Sequence, residues 1–121
     1  MESQPSQAQR ADVLDHALLA QLVADLGDAA IVRGLIATYL GELDFRHAAI
    51  VEAVGLRDTN KVAFAAHALV SPSRTLGVVG VAGPARAIEV MAKNGKLDSA
   101  EAELARLREV IPRAVIALQG W

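Results

Sequence analysis

The sequence predicts an all-α protein: an antiparallel four-helix up-down bundle with a short extra N-terminal helix. Three observations predict it. Apolar residues recur at three- and four-residue spacing in successive stretches, and no stretch alternates as a half-buried strand would. Hydrophobic residues make up 53% of the 121 positions but aromatics only 3%, so Ala, Leu and Val must build the core, which suits closely packed helices better than a β-sandwich. Cap and stop residues (Gly27-Asp28, Asp58-Thr59, Asn94-Gly95, Asp98-Ser99) punctuate the pattern at lengths that bundle helices need.

Taken in order, residues 1–10 (MESQPSQAQR) are polar, contain Pro5 and lack periodicity, so a disordered tail is expected there and a single domain over residues 11–121. Val13, Leu14, Ala17, Leu18, Leu22 and Leu26 give a short amphipathic helix over residues 12–26, which Gly27 ends. Asp28 caps a long helix over residues 29–56, with Ile31, Leu35, Ile36, Tyr39, Leu40, Leu43, Ile50, Val51 and Val54 as its apolar members. Gly34 and Gly41 each cost about 1 kcal/mol relative to Ala, so close helix packing is expected at both. A break near residues 44–46 is an open alternative, without a proline to mark it.

Asp58 or Thr59 caps a third helix reaching Leu76, bent at Pro72, whose missing N–H would have bonded the Ala68 carbonyl. The glycine-rich GVVGVAG of residues 77–83 reads as a loop or a loosely started helix. Pro84 then opens a fourth helix through Ala92, with Ala85, Ile88, Val90 and Met91 facing inward. Asp98-Ser99 caps the last helix, Leu104, Leu107, Val110, Ile111, Val115 and Leu118 carry its stripe, and Pro112 is expected to kink or split it. Trp121 is expected to close one end of the core.

Composition excludes several functions. The chain has no cysteine, hence no disulfide framework, thiolate metal site or cysteine nucleophile. Twelve basic and 14 acidic residues give a net charge of −2 without a basic stripe, so nucleic acid is not an expected partner. No apolar run is long enough to span a membrane, and a cytoplasmic location is expected. None of His16, His47 and His67 stands four residues from another or in a Glu-x-x-His pair, so no metal and no cofactor is expected. The glycines of residues 77–83 lack the Gly-Lys-Ser/Thr ending of a phosphate cradle, and Ser71, Ser73 and Ser99 lack a nucleophile context.

His67 stands apart by its setting. On a helical projection Val62, Ala65, Ala66, Leu69, Ser73 and Leu76 gather within about 60° of Leu69, while His67 lies about 160° away. Its neighbours on that outer face are Asn60, Ala63, Phe64, Ser71 and Arg74. An unperturbed imidazole, with a pKa of about 6.5, is largely neutral near pH 7 and can attack phosphorus. Ala63 and Ser71 leave room for a second protein to approach, and Phe64 offers an apolar contact. Read from these residues alone, a functional His67 and an ordinary exposed histidine both stay open.

The stretch Ala66-His67-Ala-Leu69-Val-Ser-Pro-Ser73-Arg-Thr-Leu76-Gly77, followed by Ile88-Glu89, resembles the signature of histidine phosphotransfer (HPt) domains, Ala-His-x-Leu-Lys-Gly-Ser-x-x-x-Leu-Gly with a later Leu-Glu. The flanks agree: the helix carrying Tyr39-Leu40-Gly-Glu-Leu43, and Asp58 nine residues before the histidine. The resemblance runs from about Val13 to the C-terminus. It implies a phosphorelay module in which His67 is the phosphoacceptor, exchanging a phosphoryl group with the aspartate of a response-regulator receiver domain or with a hybrid sensor histidine kinase. Such a module is not itself an enzyme; the partner supplies the carboxylates and Mg²⁺. Asn60, Ala63, Phe64 and Val70 would form the docking rim, and a monomer is expected.

Two positions depart from the pattern. Val70 stands where the family has Lys, and Ser71 where it has Gly. Losing the lysine removes a charge-assisted contact of about 1–3 kcal/mol. Arg74, about 20° from His67 in projection, is the expected substitute, and the Ser71 hydroxyl is the expected partner of the imidazole. Two alternatives remain at this point: a phosphorylation-incompetent module that docks and sequesters a receiver or kinase, and a purely structural bundle.

Overall fold

The computed structural model describes residues 13–121, so the tail expected over residues 1–10 lies outside the described residues. The described residues form five helices and no strand: α1 (His16–Leu26), α2 (Ala29–Gly55), α3 (Thr59–Thr75), α4 (Val79–Lys93) and α5 (Ala100–Gln119). Each packs against the next in sequence, and α2 also meets α5, so α3 has α2 on one flank and α4 on the other. One core joins them. Leu19, Ile36, Leu43, Ile50, Val62, Leu69, Ile88, Leu107 and Leu118 are all buried in it, each such side chain contributing about 1.5–3 kcal/mol of apolar transfer. Trp121 is partly buried against the same core, as expected of the terminal residue.

Carboxylates start the first three helices. Asp15 accepts from the Leu18 N–H, Asp28 from the Ala30 N–H and Asp58 from the Lys61 N–H at 3.0, 2.8 and 3.1 Å, satisfying amides that have no partner within the helix. At Ser99, which precedes α5, no side-chain cap bond forms.

Several expectations are corrected. α1 starts at His16 rather than at residue 12, because the backbone just before it bonds elsewhere: the Asp15 N–H donates to the Gly77 carbonyl (2.7 Å) and the Val13 carbonyl accepts from Gly80 (3.2 Å). Gly77 has φ +67°, and an added Cβ would stand 3.1 Å from the Asp15 carbonyl oxygen, so both conformation and space call for glycine there. Of the two readings of residues 77–83 the started helix holds: α4 begins at Val79 and Pro84 lies inside it rather than opening it, because Val81, Ala82, Ala85 and Ile88 bury one helical face and the proline falls where only the Gly80 carbonyl loses a donor. Gly34 and Gly41 face open space with nothing within 4 Å of a built Cβ, so neither marks a close helix approach. Ile31, Leu35 and Val51 of α2 and Val90 of α4, expected in the core, are exposed, since the buried stripe of each helix is narrower than its apolar composition. α2 runs unbroken through residues 44–46, and α3 and α5 continue past Pro72 and Pro112 without splitting. Among the described residues no helix is long and apolar enough to cross a membrane.

Candidate functional site

α3 carries His67 and α4 carries its partner. The His67 side chain is 66% exposed, and its Nδ1 lies 2.9 Å from Oε2 of Glu89, which is itself only 1% exposed. Two cations of α4 hold the other sides of that carboxylate. Lys93 Nζ is 3.2 Å from the same Oε2, one turn along the helix, and Arg86 donates to Oε1 at 3.3 Å. A carboxylate this buried is tolerable because three partners meet it, two at Oε2 and one at Oε1. Burial pushes the Glu89 pKa up, but the bonds from Lys93 and His67, the Lys93 charge and the Arg86 bond outweigh it and hold the carboxyl below its ordinary value.

The ionised carboxylate fixes the ring. It accepts only, so Nδ1 must carry the proton and donate. Nε2 then keeps its lone pair, and it belongs to a ring that stands out into solvent. The arrangement is a solvent-facing imidazole with its orientation set from behind.

The remaining predicted residues distribute as follows. Phe64, one turn before His67, is 78% exposed. It stands with Asn60, Ala49, Ala53 and Leu56 along a groove of about 390 Å³ between α2 and α3. Ala63 is half-buried against the core. Val70 corrects the expectation: at 2% exposure it is a core residue and cannot rim a docking surface. Its position about 100° from Leu69 on α3 points it away from solvent because a second helix, α4, covers that flank.

Ser71 is exposed, and the carbonyl that it contributes accepts from Thr75, but no hydrogen bond joins its hydroxyl to the imidazole, whose Nδ1 is already engaged. Arg74 is exposed and enters no ion pair among the described residues. Ser73 is fully buried and shares a 2.8 Å hydrogen bond with the Tyr39 hydroxyl, tying α3 to α2. Burial raises the Tyr39 pKa to about 12 against the opposing pull of the Ser73 bond, so the phenol stays protonated and available to Ser73.

Sequence reasoning missed Arg86 and Lys93, and gave Glu89 a place in the pattern without a role. The available signal was their spacing: Arg86, Glu89 and Lys93 follow one another at three and four residues, so they share a helix face. No group of three or more potential metal ligands forms among the described residues.

Comparison with known proteins adds the family. No curated protein sequence matches the chain. The crystal structure of histidine-containing phosphotransfer protein B from Pseudomonas aeruginosa PAO1 superposes with a TM-score of 0.79 at 23% identity, covering 88% of this chain and 91% of that one, a likeness of fold. The model of the Hpt domain matches residues 34–119, which takes in most of α2 and all of the helices that follow, His67 and Glu89 included. With most of its length matched, and with a solvent-facing histidine where that family's signature falls, the chain belongs to the histidine phosphotransfer (Hpt) domain family.

Proposed function

We propose that the chain is a phosphocarrier of a two-component phosphorelay, taking a phosphoryl group on His67 Nε2 and passing it to or from the aspartate of a receiver domain. One observation carries the reading: an exposed imidazole whose Nδ1 is bonded to a buried, ionised carboxylate. The Nε2 lone pair attacks phosphorus of the receiver's aspartyl phosphate. A nitrogen–phosphorus bond forms as the phosphorus–oxygen bond breaks, and the aspartate leaves as a carboxylate. The ring, still protonated at Nδ1, gains positive charge, which Glu89 stabilises across the 2.9 Å bond. Transfer onward runs the same steps in reverse.

The chain supplies the nucleophile and its orienting carboxylate, while the receiver supplies the Mg²⁺ and the acidic residues around its own aspartate. A hybrid sensor histidine kinase is a second partner of the same chemistry. The receiver docks over the α2–α3 face, with Asn60, Ala63 and Phe64 beside the histidine, and the exposed Arg74 and Ser71 approach the phosphoryl oxygens from the α3 side. Sequential packing of α2 to α5, the α2–α5 contact and the short turns support an antiparallel up-down four-helix arrangement with α1 as the added helix. We read residues 11–121 as that one domain, working as a monomer in the cytoplasm.

The test is incubation with a receiver carrying labelled phosphate. Acid-labile, alkali-stable label should appear on this chain and vanish in His67→Gln, while Phe64→Ala should weaken receiver binding without changing the melting temperature. Complex formation with no label would leave a docking module only. Neither label nor complex would end the phosphorelay reading.

A further inference from the structure

Both phenylalanines of the chain stand in solvent, Phe45 75% and Phe64 78% exposed, although aromatics make up only 3% of its residues. They belong to one face. Tyr39 of α2 meets Ser73 of α3, and six residues on from Tyr39 and six back from Ser73 set Phe45 level with His67. Further along, Glu52 from α2 and Lys61 from α3 line the groove that Leu56, Asn60 and Phe64 share. Ala49 lines it too and stands one turn from Phe45 on α2, so the strip is continuous. Contiguous exposed apolar side chains inside a polar rim mark an interaction surface.

The rim charges decide what fits. Glu52 and Lys61 are exposed, stand at about the same level and enter no ion pair among the described residues, whereas Glu42 is already met by Arg46 within α2. The groove is therefore negative on its α2 edge and positive on its α3 edge. A two-fold axis parallel to the helices lays α2 of each copy on α3 of the other and leaves every residue at its own level. Glu52 of either copy then faces Lys61 of the other, twice over. Phe45 and Phe64 differ in level by three residues, about 4.5 Å along the axis, within the range of aromatic contact between copies. A face with both signs at one level, on different helices, is complementary to itself. Its area sets the strength. The 17 residues of α3 extend about 25 Å, and two helices side by side are about 20 Å wide. About 500 Å² is covered per copy and about 1,000 Å² in total, at the lower limit for a specific interface, so pairing is reversible.

We infer that this face pairs two copies of the chain, and that pairing is a concentration-dependent cover over the phosphoacceptor. His67 is level with Phe45, so α2 of one copy lies over the ring of the other, and the monomer is the form open to a receiver. The cover rests on His67 being the phosphoacceptor; the pairing does not, and it is read without transfer.

Sedimentation of the full chain should show its average mass climbing from one chain toward two between about 10 µM and about 1 mM. Glu52→Lys and Lys61→Glu, each alone, bring like charges together and should weaken pairing at least about tenfold. An equimolar mixture of the two variants restores both opposite-charge contacts and should pair like wild type, as a two-fold contact between these residues requires. Both side chains are exposed, so the variants should melt with the wild type. Amide NMR shifts should change with concentration at Phe45, Ala49, Phe64 and His67 and stay fixed at Ile116, the exposed apolar residue of α5. A chain that stays monomeric at the highest concentration overturns the proposal and leaves the face to the receiver alone. So does pairing that ignores the charge reversals, a mixture that pairs no better than its parts, or shifts centred on Ile116. A wild type that pairs as expected but takes no label from a phosphorylated receiver sinks the phosphocarrier reading and leaves the pairing standing.

Discussion

His67 and His47 stand on adjacent helices in opposite circumstances. The His67 ring is open to solvent, yet its inner nitrogen is bonded to a carboxylate held by two cations. The His47 ring feels the charge of Arg108 on α5, and its Nε2 is buried with no hydrogen-bond partner among the described residues. Burial first, then the charge of Arg108, lowers the His47 pKa against the weaker pull of Asp44. The difference teaches that accessibility alone does not make a histidine useful. The α3–α4 side provides a fixed tautomer and a free lone pair; the α2–α5 side provides only a ring kept neutral by its surroundings.

Substitutions can break or sharpen this contrast. The largest effect belongs to the ring itself: in the labelled-receiver assay His67→Gln should lose all label, and His47→Gln should keep it. Next comes the carboxylate. Glu89→Ala removes a hydrogen bond to a charged group worth about 1.5–3 kcal/mol, so initial labelling rates should fall about 10–100-fold. Glu89 is fully buried, so the variant should also melt lower. Labelling rates taken well below that melting temperature isolate the effect on the ring: a rate equal to wild type there would mean that Glu89 holds the fold rather than the ring.

Tyr39→Phe comes third and makes Ser73 resemble His47, a buried polar group stripped of its partner. Urea unfolding should show about 1–3 kcal/mol of destabilisation with labelling unchanged. The smallest effect is a pH limb. The folded-state pKa of His47 lies below its ordinary 6.5, so the unfolded chain binds the proton first as pH falls through 6.5. Stability should decline from there until the folded ring protonates too, and His47→Gln should flatten that decline in melting temperatures taken from pH 7.5 downward. Glu89 acts in a separate window: its pKa is lowered from 4.5, so its contribution holds above 4.5 and is lost as pH drops through the folded value.

Helix existence was legible because local chemistry decides it. Asp28 and Asp58 cap α2 and α3 where their position before an apolar run says they should. The start of α4 was not, because Gly80 and Gly83 have poor helix propensity and Pro84 looks like a first-turn residue, while burial of Val81 and Ala82 overrides both. His67 could be placed on an outer face from one helical wheel. Val70 could not, since a wheel drawn about one seam does not say that a second helix closes over the next. The Glu89 bond is beyond any single-helix projection: it depends on how α4 is aligned against α3. The Arg86-Glu89-Lys93 spacing signals a charged face but not what the face meets.

The backbone bonds that Asp15 and Val13 make to Gly77 and Gly80 reach across most of the domain to the turn joining α3 and α4. That turn sets how the histidine helix is aligned with the carboxylate helix. A segment ahead of α1 thus locks a corner far along the chain, and the loop closed by the lock spans α1, α2 and α3. Closing so large a loop carries an entropic cost that local helix pairing does not, and the backbone bonds of the clasp help to offset it. The alignment of ring and carboxylate is therefore secured in part by a segment distant in sequence from both.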